Sequence, residues 1–170
     1  GYTDGYYFAP KSAYCATKNP EQEFCEMIKA FHQAGISCMM EMYFPGKTSP
    51  LTVLRALQFW KRHYHVDGFH VLGEGVPLDL LMKDGVLADT KIMAAGMDTS
   101  HFYQGKIPKH RTFAEYNLGF LQDMRRFLKS DEDMIPAVQY RIRHNGDDHG
   151  VINYITCQDG FTLNDLVSYN

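Results

Sequence analysis

The 170-residue sequence lacks the features that mark several large functional classes. No apolar stretch approaches the roughly 20 residues that a membrane-spanning helix needs, and no basic segment followed by an apolar one opens the chain. We therefore expect neither a membrane partner nor an export signal. The sequence has no run of Lys or Arg, and its formal net charge is −3. This charge pattern predicts that the protein has no nucleic-acid partner.

Cysteine pairs at metal-binding or redox spacing are also missing. The four cysteines are far apart in the sequence and form no CxxC motif: Cys15, Cys25, Cys38 and Cys157. This spacing favours free thiols in a reducing compartment over a disulfide framework or a zinc site. We therefore predict a cytoplasmic protein that has no metal site.

Other motifs for cofactors and metals are weak. Gly73-x-Gly75 lacks the third glycine of a dinucleotide fingerprint and is interpreted as a turn, and no nucleophilic Ser or Cys motif is present. His63-x-His65 and residues 147–149 contain metal-capable side chains, but we interpret them as solvated. His32 and His101 have no partner at a ligand spacing. The sequence therefore predicts no cofactor.

The composition is that of a globular domain, with 45% hydrophobic and 22% charged residues. Apolar β-like segments alternate with amphipathic helices, which is typical of a parallel α/β architecture in a single domain over residues 1–170. A helix is predicted from Pro20 to Gly35, with one buried stripe at Phe24, Met27, Ile28 and Phe31. Further helices are predicted from Pro50, at 77–82 and at 120–128, and strands at 36–43, 68–72, 91–97 and 151–157. The continuous apolar run 36–43 predicts a strand covered on both faces.

Five blocks of this sequence resemble a known family in order. Their letters are GYTDGYYFAP at 1–10, the segment Phe24–Tyr43, FWKRHYHVDGF at 59–69, KIMAAGMD at 91–98 and INYITCQDGFTLNDLVSYN at 152–170. They are similar to strands and helices of glycoside hydrolase family 13, the α-amylase superfamily, in its isoamylase and glycogen-debranching branch. HVDGF and FTLNDLVSYN are the most specific parts, because long mixtures of polar and apolar residues rarely match by core patterning alone.

The resemblance implies a partial or degenerate TIM-type (β/α) barrel that covers roughly strands 2 to 7 of the family barrel. A complete barrel needs about 250 residues. The family's long excursion after its third strand is reduced here to residues 45–50, and strands one and eight are expected to be absent. We therefore expect the chain to associate as a homo-oligomer or to be part of a longer protein, since open sheet edges need a partner.

The resemblance also implies where the catalytic groups would lie. Retaining glycoside hydrolysis uses two carboxyl groups about 5 Å apart, a nucleophile and an acid. In this sequence the nucleophile position falls on Leu72 and the acid position on Ala95, so both groups are absent. The third carboxylate of the family is retained as Asp159.

Four residues occupy the family's substrate-binding positions. The family's His-Asp-Gly triplet reads Gln158-Asp159-Gly160, its arginine before the nucleophile is His70, and its ring-stacking tyrosine is Tyr2. Simpler interpretations are a turn residue for Asp159 and a half-buried aromatic for Tyr2.

Three functions follow from these residues. The first is a debranching-like glycoside hydrolase domain of α-glucan metabolism that is catalytically inactive, a pseudoenzyme. The second is an α-glucan-binding module or a structural, oligomerising segment of a longer protein. The third is an active hydrolase with relocated carboxylates at Glu74, Glu41 and Asp159, with Asp98 close to the acid position.

Overall fold

The computed structural model describes residues 6–96, 111–146, 148–157, 160 and 162–168. The chain forms two compact units, Gly1–Met93 and Ala94–Asn170. Strands alternate with helices and their registered pairs are parallel, so the predicted α/β class is confirmed. The single domain over 1–170 stays a prediction.

The first unit contains a three-stranded parallel sheet in the order β1-β2-β3. The last residue of β3 begins the second unit. The elements are α1 Pro20–Gln33, β1 Met39–Tyr43, α2 Pro50–Tyr64, β2 Gly68–Leu72, α3 Leu78–Lys83 and β3 Lys91–Ala94.

Capping residues at both ends of helix α1 set its boundaries. The Asn19 side chain accepts a hydrogen bond from the backbone N–H of Gln22 at 3.2 Å, and Pro20 occupies the first helical position. Gly35 follows the helix with a φ of +74°, a left-handed conformation that stops helical propagation. These signals confirm the predicted helix boundaries.

The core of the first unit lies on one face of β2. Phe69 and Val71 are fully buried on that face, and Ile92 of β3 joins them. Helix α2 contributes further fully buried side chains, Val53 and Leu57. Because side chains alternate along a strand, His70 and Leu72 point to the other face, where both are only half-buried.

Two burial predictions were wrong. Strand β1 begins at Met39 rather than Ile36, and both of these residues are exposed, so the strand is not covered on both faces. On α1 only Ile28 of the predicted stripe is buried, while Met27 and Phe31 are exposed. An apolar run predicts burial only where another element covers it, and the sequence does not specify that neighbour.

The described residues of the second unit include two short parallel strands and three helices. Strands β4 and β5 are in register from Ala114 with Gly150 to Tyr116 with Ile152. The Arg141 guanidinium binds the Asp123 carboxylate at 2.6 Å and joins α4 to α5. The elements are β4 Phe113–Tyr116, α4 Leu118–Leu128, α5 Met134–Arg143, β5 Gly150–Ile152 and α6 Leu163–Ser168.

Sequence reasoning missed β4, α5 and α6 and, besides β1, made two more strands too long. Met134 and Val138 are buried at a spacing of four, so a helical signal was present in α5 despite Pro136 in its first turn. The strand predicted at 91–97 ends at Ala94, because Gly96 turns the chain with a φ of +64°. The strand predicted at 151–157 ends at Ile152.

The N-terminal segment, residues 6–18, packs on the first unit through a few specific contacts. The Trp60 indole N–H donates to the Tyr7 carbonyl at 2.7 Å. The Glu23 carboxylate accepts hydrogen bonds from the backbone N–H groups of Ala16 and Thr17. The Thr17 side chain and these two N–H groups lower the pKa of Glu23. The charged form of Glu23 therefore holds this segment.

We predict that this attachment weakens in acid. A lowered carboxyl pKa stabilises the folded form above the unfolded value of about 4.3, and this stabilisation is lost as the pH falls through the folded pKa. The amide N–H signals of Ala16 and Thr17 should therefore titrate in NMR spectra with a midpoint below about 4.3. A Glu23→Gln variant should lose that titration, and an unchanged titration in it would contradict the assignment.

Candidate active site

The carboxyl ends of β1 and β2 carry the positions that the sequence singled out. In the parallel register Leu72 is paired with Tyr43, and His70 with Glu41. These four residues alternate with the core side chains and therefore share the face of the sheet opposite the core. In parallel α/β folds, ligands bind outside the carboxyl ends of the strands. This end of the first unit is therefore the candidate site.

Glu41 and His70 form a cross-strand pair at the site. A carboxylate oxygen of Glu41 lies 2.8 Å from the Nδ1 atom of His70. The side chain of His70 is 13% exposed and that of Glu41 is 28% exposed. A carboxylate bound to Nδ1 fixes the orientation and tautomer of the imidazole. The pair therefore places an oriented histidine where the resemblance puts the family's arginine.

Leu72 and Ala95 offer no acid or base. Leu72 is half-buried at the last position of β2. Ala95 directly follows β3 and is exposed. Neither side chain can attack an anomeric carbon or protonate a leaving oxygen.

Glu74 lies beyond the sheet in a turn, as the flanking glycines predicted. Gly73 has a φ of +98°, and a Cβ atom there would lie 2.2 Å from the Phe44 carbonyl oxygen, so only glycine fits. The Glu74 side chain is exposed. Glu41, in contrast, lies two residues before the end of β1. Of the three carboxylates proposed for a relocated site, Glu41 therefore lies within the sheet and Glu74 lies in the turn beyond it.

Several predicted residues lie outside the described part of the chain. These are Tyr2, Asp98, His101, Asp147, Gln158 and Asp159. Gly160, which follows Asp159, is described and has a φ of +88°. A left-handed glycine at this position agrees with a turn after the last strand.

A cavity of about 540 Å³ adjoins β1 in the first unit. Six of its sixteen lining residues are aromatic, and Lys11, Glu23 and Glu41 supply charge. The aromatic lining residues are Tyr6, Tyr7, Tyr14, Phe24, Tyr43 and Trp60. Aromatic walls with a few polar groups are typical of small-molecule sites. Sequence reasoning did not find this cavity, because it depends on how residues 6–18 fold back onto α1 and β1.

One histidine of the second unit differs from prediction. His149 is not solvated, since its side chain is 11% exposed. Its Nδ1 atom lies 2.6 Å from a carboxylate oxygen of Asp148, and its Nε2 atom lies 3.6 Å from one of Glu115. The pairing of β5 with β4 brings Glu115 to this ring. His63 and His65 are exposed, as predicted.

No helix in the described part of the chain is long and apolar enough to cross a membrane. This agrees with the absence of a long apolar run in the sequence.

Comparison with known proteins identifies relatives over the whole chain. No protein-family model matches. The glycogen operon protein GlgX homolog of Haemophilus influenzae is 29% identical over 237 residues, covering 100% of this chain and 36% of the relative. Isoamylase 3, chloroplastic, of Oryza sativa subsp. japonica is 28% identical over 244 residues, covering 100% of this chain and 31% of the relative.

A solved structure shows the same fold. The pullulanase type I of Bacillus subtilis str. 168, crystallised with maltose, matches 99% of this chain and 34% of its own chain. The TM-score is 0.72 at 17% sequence identity. This likeness confirms the predicted partial (β/α) barrel.

The chain spans about a third of the length of the curated relatives that it matches. The alignment with the Haemophilus protein covers 237 positions, whereas the chain has 170 residues, so 67 positions have no counterpart here. Internal segments of that relative are therefore absent from this chain.

We predict that Leu72→Asp destabilises the protein by about 2 kcal/mol. The new carboxylate would lose apolar contacts and join Glu41 on a half-buried face, where an unpaired charge is costly. Chemical denaturation measures the change, and Leu72→Asn is the matched control because it removes the same contacts without adding charge. The gap between the two variants should close below about pH 4, where the aspartate is protonated. Equal stability of both variants at pH 7 would contradict the charge argument.

Proposed function

Because this chain belongs to the isoamylase and glycogen-debranching branch of glycoside hydrolase family 13, we propose that it is a debranching-like domain of α-glucan metabolism that does not itself cleave α-1,6 bonds. It is then a pseudoenzyme. Its place in α-glucan metabolism rests on relatives named as glycogen operon protein and isoamylase.

The observation that carries this proposal is Leu72 at the end of β2. Leu72 is paired with Tyr43 at the carboxyl end of the parallel strands. The resemblance puts the nucleophile of the family at this position. Retaining hydrolysis needs a nucleophile and an acid about 5 Å apart, and the acid position carries Ala95. General acid catalysis contributes about 10²- to 10⁴-fold in rate, and the covalent route also needs a nucleophile, so the loss of both removes useful activity.

The remaining carboxylates of the first unit support inactivity over relocation. The Glu41 carboxylate contacts His70, and the register of β1 with β2 sets the position of Glu41 in the sheet. Glu74 is exposed in the turn after β2. A relocated pair would need a rigid separation of about 5 Å, which an exposed turn residue is poorly suited to provide.

The missing alignment positions point the same way. A glycosidase cleft excludes water and holds a distorted sugar with residues from long loops. In this chain the loop between β1 and α2 contains only residues 44–49. A short loop at the carboxyl end of β1 supports the proposal that this chain has lost the substrate cleft.

We predict no measurable release of reducing sugar from glycogen, amylopectin or pullulan. Restoring the family letters with Leu72→Asp, Ala95→Glu and Gln158→His together should also give no cleavage, because the cleft remains short. Reducing-sugar assays at high enzyme concentration check both proteins. Activity in the unmodified chain that disappears in Glu74→Gln would instead establish a relocated site, with Glu132→Gln as the control for an exposed glutamate elsewhere.

The cavity beside β1 favours a second candidate, α-glucan binding. Sugar rings stack on aromatic side chains, and the cavity presents several tyrosines next to the Glu41 carboxylate. Its volume of about 540 Å³ lies in the range of small-ligand sites. A binding module would keep such contacts without catalytic groups.

We predict that maltose or maltotriose binds this cavity weakly, with a dissociation constant of about 1 mM, which corresponds to about −4 kcal/mol. Tyr14→Ala should weaken binding about tenfold by removing a stacking surface. Tyr140→Ala is the matched control, because Tyr140 is an exposed tyrosine on α5 in the other unit. NMR titration measures both. Equal affinity of the two variants would exclude the cavity as a glucan site. The absence of binding at about 20 mM sugar, 20 times the expected dissociation constant, would exclude it as well.

A further inference from the structure

A second group of functional side chains lies at the amino ends of β1 and β2, opposite the candidate active site. His32 is in the last turn of α1, Cys38 directly precedes β1, and Asp67 directly precedes β2. Their donor atoms, a ring nitrogen, the sulfur and a carboxylate oxygen, all lie within 4.8 Å of one another. Among the described residues this is the one such group of three.

We propose that His32, Cys38 and Asp67 bind a divalent transition-metal ion, and that zinc fits this donor set best. Imidazole nitrogen, thiolate sulfur and carboxylate oxygen are the three ligand types that zinc takes in proteins. Magnesium and calcium prefer oxygen ligands alone and are disfavoured by the thiol.

The backbone already organises the three ligands. The Cys38 N–H donates to the Oδ2 atom of Asp67 at 2.6 Å, and the same oxygen lies 2.8 Å from Nε2 of His32. The Asp67 N–H in turn donates to the Cys38 carbonyl at 3.0 Å. Within the described part of the chain, both side-chain hydrogen bonds of Asp67 use Oδ2. The Oδ1 atom of Asp67 takes part in neither of these two hydrogen bonds.

Ion binding requires only a small movement. Zinc bonds of about 2.0 Å to nitrogen and oxygen and 2.3 Å to sulfur place neighbouring tetrahedral ligands roughly 3.3 to 3.8 Å apart. In the structure the three donor atoms lie within 4.8 Å of one another, and the shortest of these contacts, His32 to Asp67, is 2.8 Å. The ligand separations in a zinc site fall between these two distances. The His32 side chain is 35% exposed, so its ring has room to rotate from Asp67 toward an ion.

Charge and access suit a bound cation. The Asp67 side chain supplies a negative charge at neutral pH, and its contacts are the Cys38 N–H and the His32 ring. Lys91 is the positive group near the site, and its side chain is exposed. The partial exposure of all three ligands lets an ion enter and leaves room for water as a fourth ligand.

The test uses the whole chain, stripped of metal with a chelator. Zinc titration by calorimetry should give one ion per chain, and zinc at about 100 times its dissociation constant should raise Tm by about 5 °C or more. Cobalt should give a thiolate-to-metal charge-transfer band in the near ultraviolet, which reports Cys38 as a ligand.

Two variants and two controls locate the site. Cys38→Ser should abolish the cobalt band, and His32→Gln, which keeps a hydrogen-bond donor for Asp67 but is a poor ligand, should weaken zinc binding at least tenfold. The controls are Cys25→Ser, an exposed thiol on α1, and His63→Gln, an exposed histidine on α2; both should bind like the parent. Circular dichroism of the metal-free proteins separates misfolding from ligand loss, and His32 is exposed enough to be replaced safely.

Three outcomes would overturn the proposal. The first is the absence of saturable zinc binding below about 0.1 mM, weaker than typical protein sites. The second is unchanged affinity in His32→Gln, and the third is loss of binding in Cys25→Ser or His63→Gln. In each case the three residues act only as a hydrogen-bonded link between α1 and the sheet.

Discussion

The parallel hydrogen bonding of β1 to β2 sets the position of the functional side chains in the first unit. Its register pairs Met39 with Gly68 and continues to Tyr43 with Leu72. Because side chains alternate along each strand, one face receives the core and the other receives His70, Glu41 and Leu72. The same pairing brings Cys38 and Asp67 together just before the strands begin. One strand register therefore determines which side chains meet at each end of β1 and β2.

At the carboxyl end, that register explains why an apolar residue at position 72 is well tolerated. A lone carboxylate on a half-buried face is costly unless it is paired. Glu41 is stabilised there by His70, whereas a second carboxylate would have to compete for the same histidine. Once hydrolysis is not required, leucine at this position adds packing and removes that cost. The proposed inactivity and the stability of this face thus have the same physical origin.

At the amino end, the three proposed ligands come from three separate elements. A bound ion would join the end of α1 to the starts of β1 and β2, and its binding energy would add to the stability of the folded state. The hydrogen bonds of Asp67 already make part of this link. The proposed metal site and the proposed α-glucan function are independent, since they lie at opposite ends of the strands.

The sequence alone determined the family, the α/β class and most helices and strands of the first unit. Caps such as Asn19 and the left-handed Gly35 act locally, so their signals can be read from a few neighbouring letters. The identities of Leu72 and Ala95 were equally available, because a motif fixes the residue type at each position. Strands β4 and β5 were missed or misjudged in length because three or four residues carry too little periodicity.

Only the tertiary structure decided which residues meet. Burial of Met27, Phe31 and Ile36 depended on whether another element covers them, and the apolar pattern could not supply that neighbour. The Glu41–His70 pair spans 29 residues and the Cys38–Asp67 contact another 29, so both follow from strand register rather than from spacing. His32 had no partner in the sequence for the same reason. Contacts between distant segments depend on how the strands pair, and the linear order of residues does not specify that pairing.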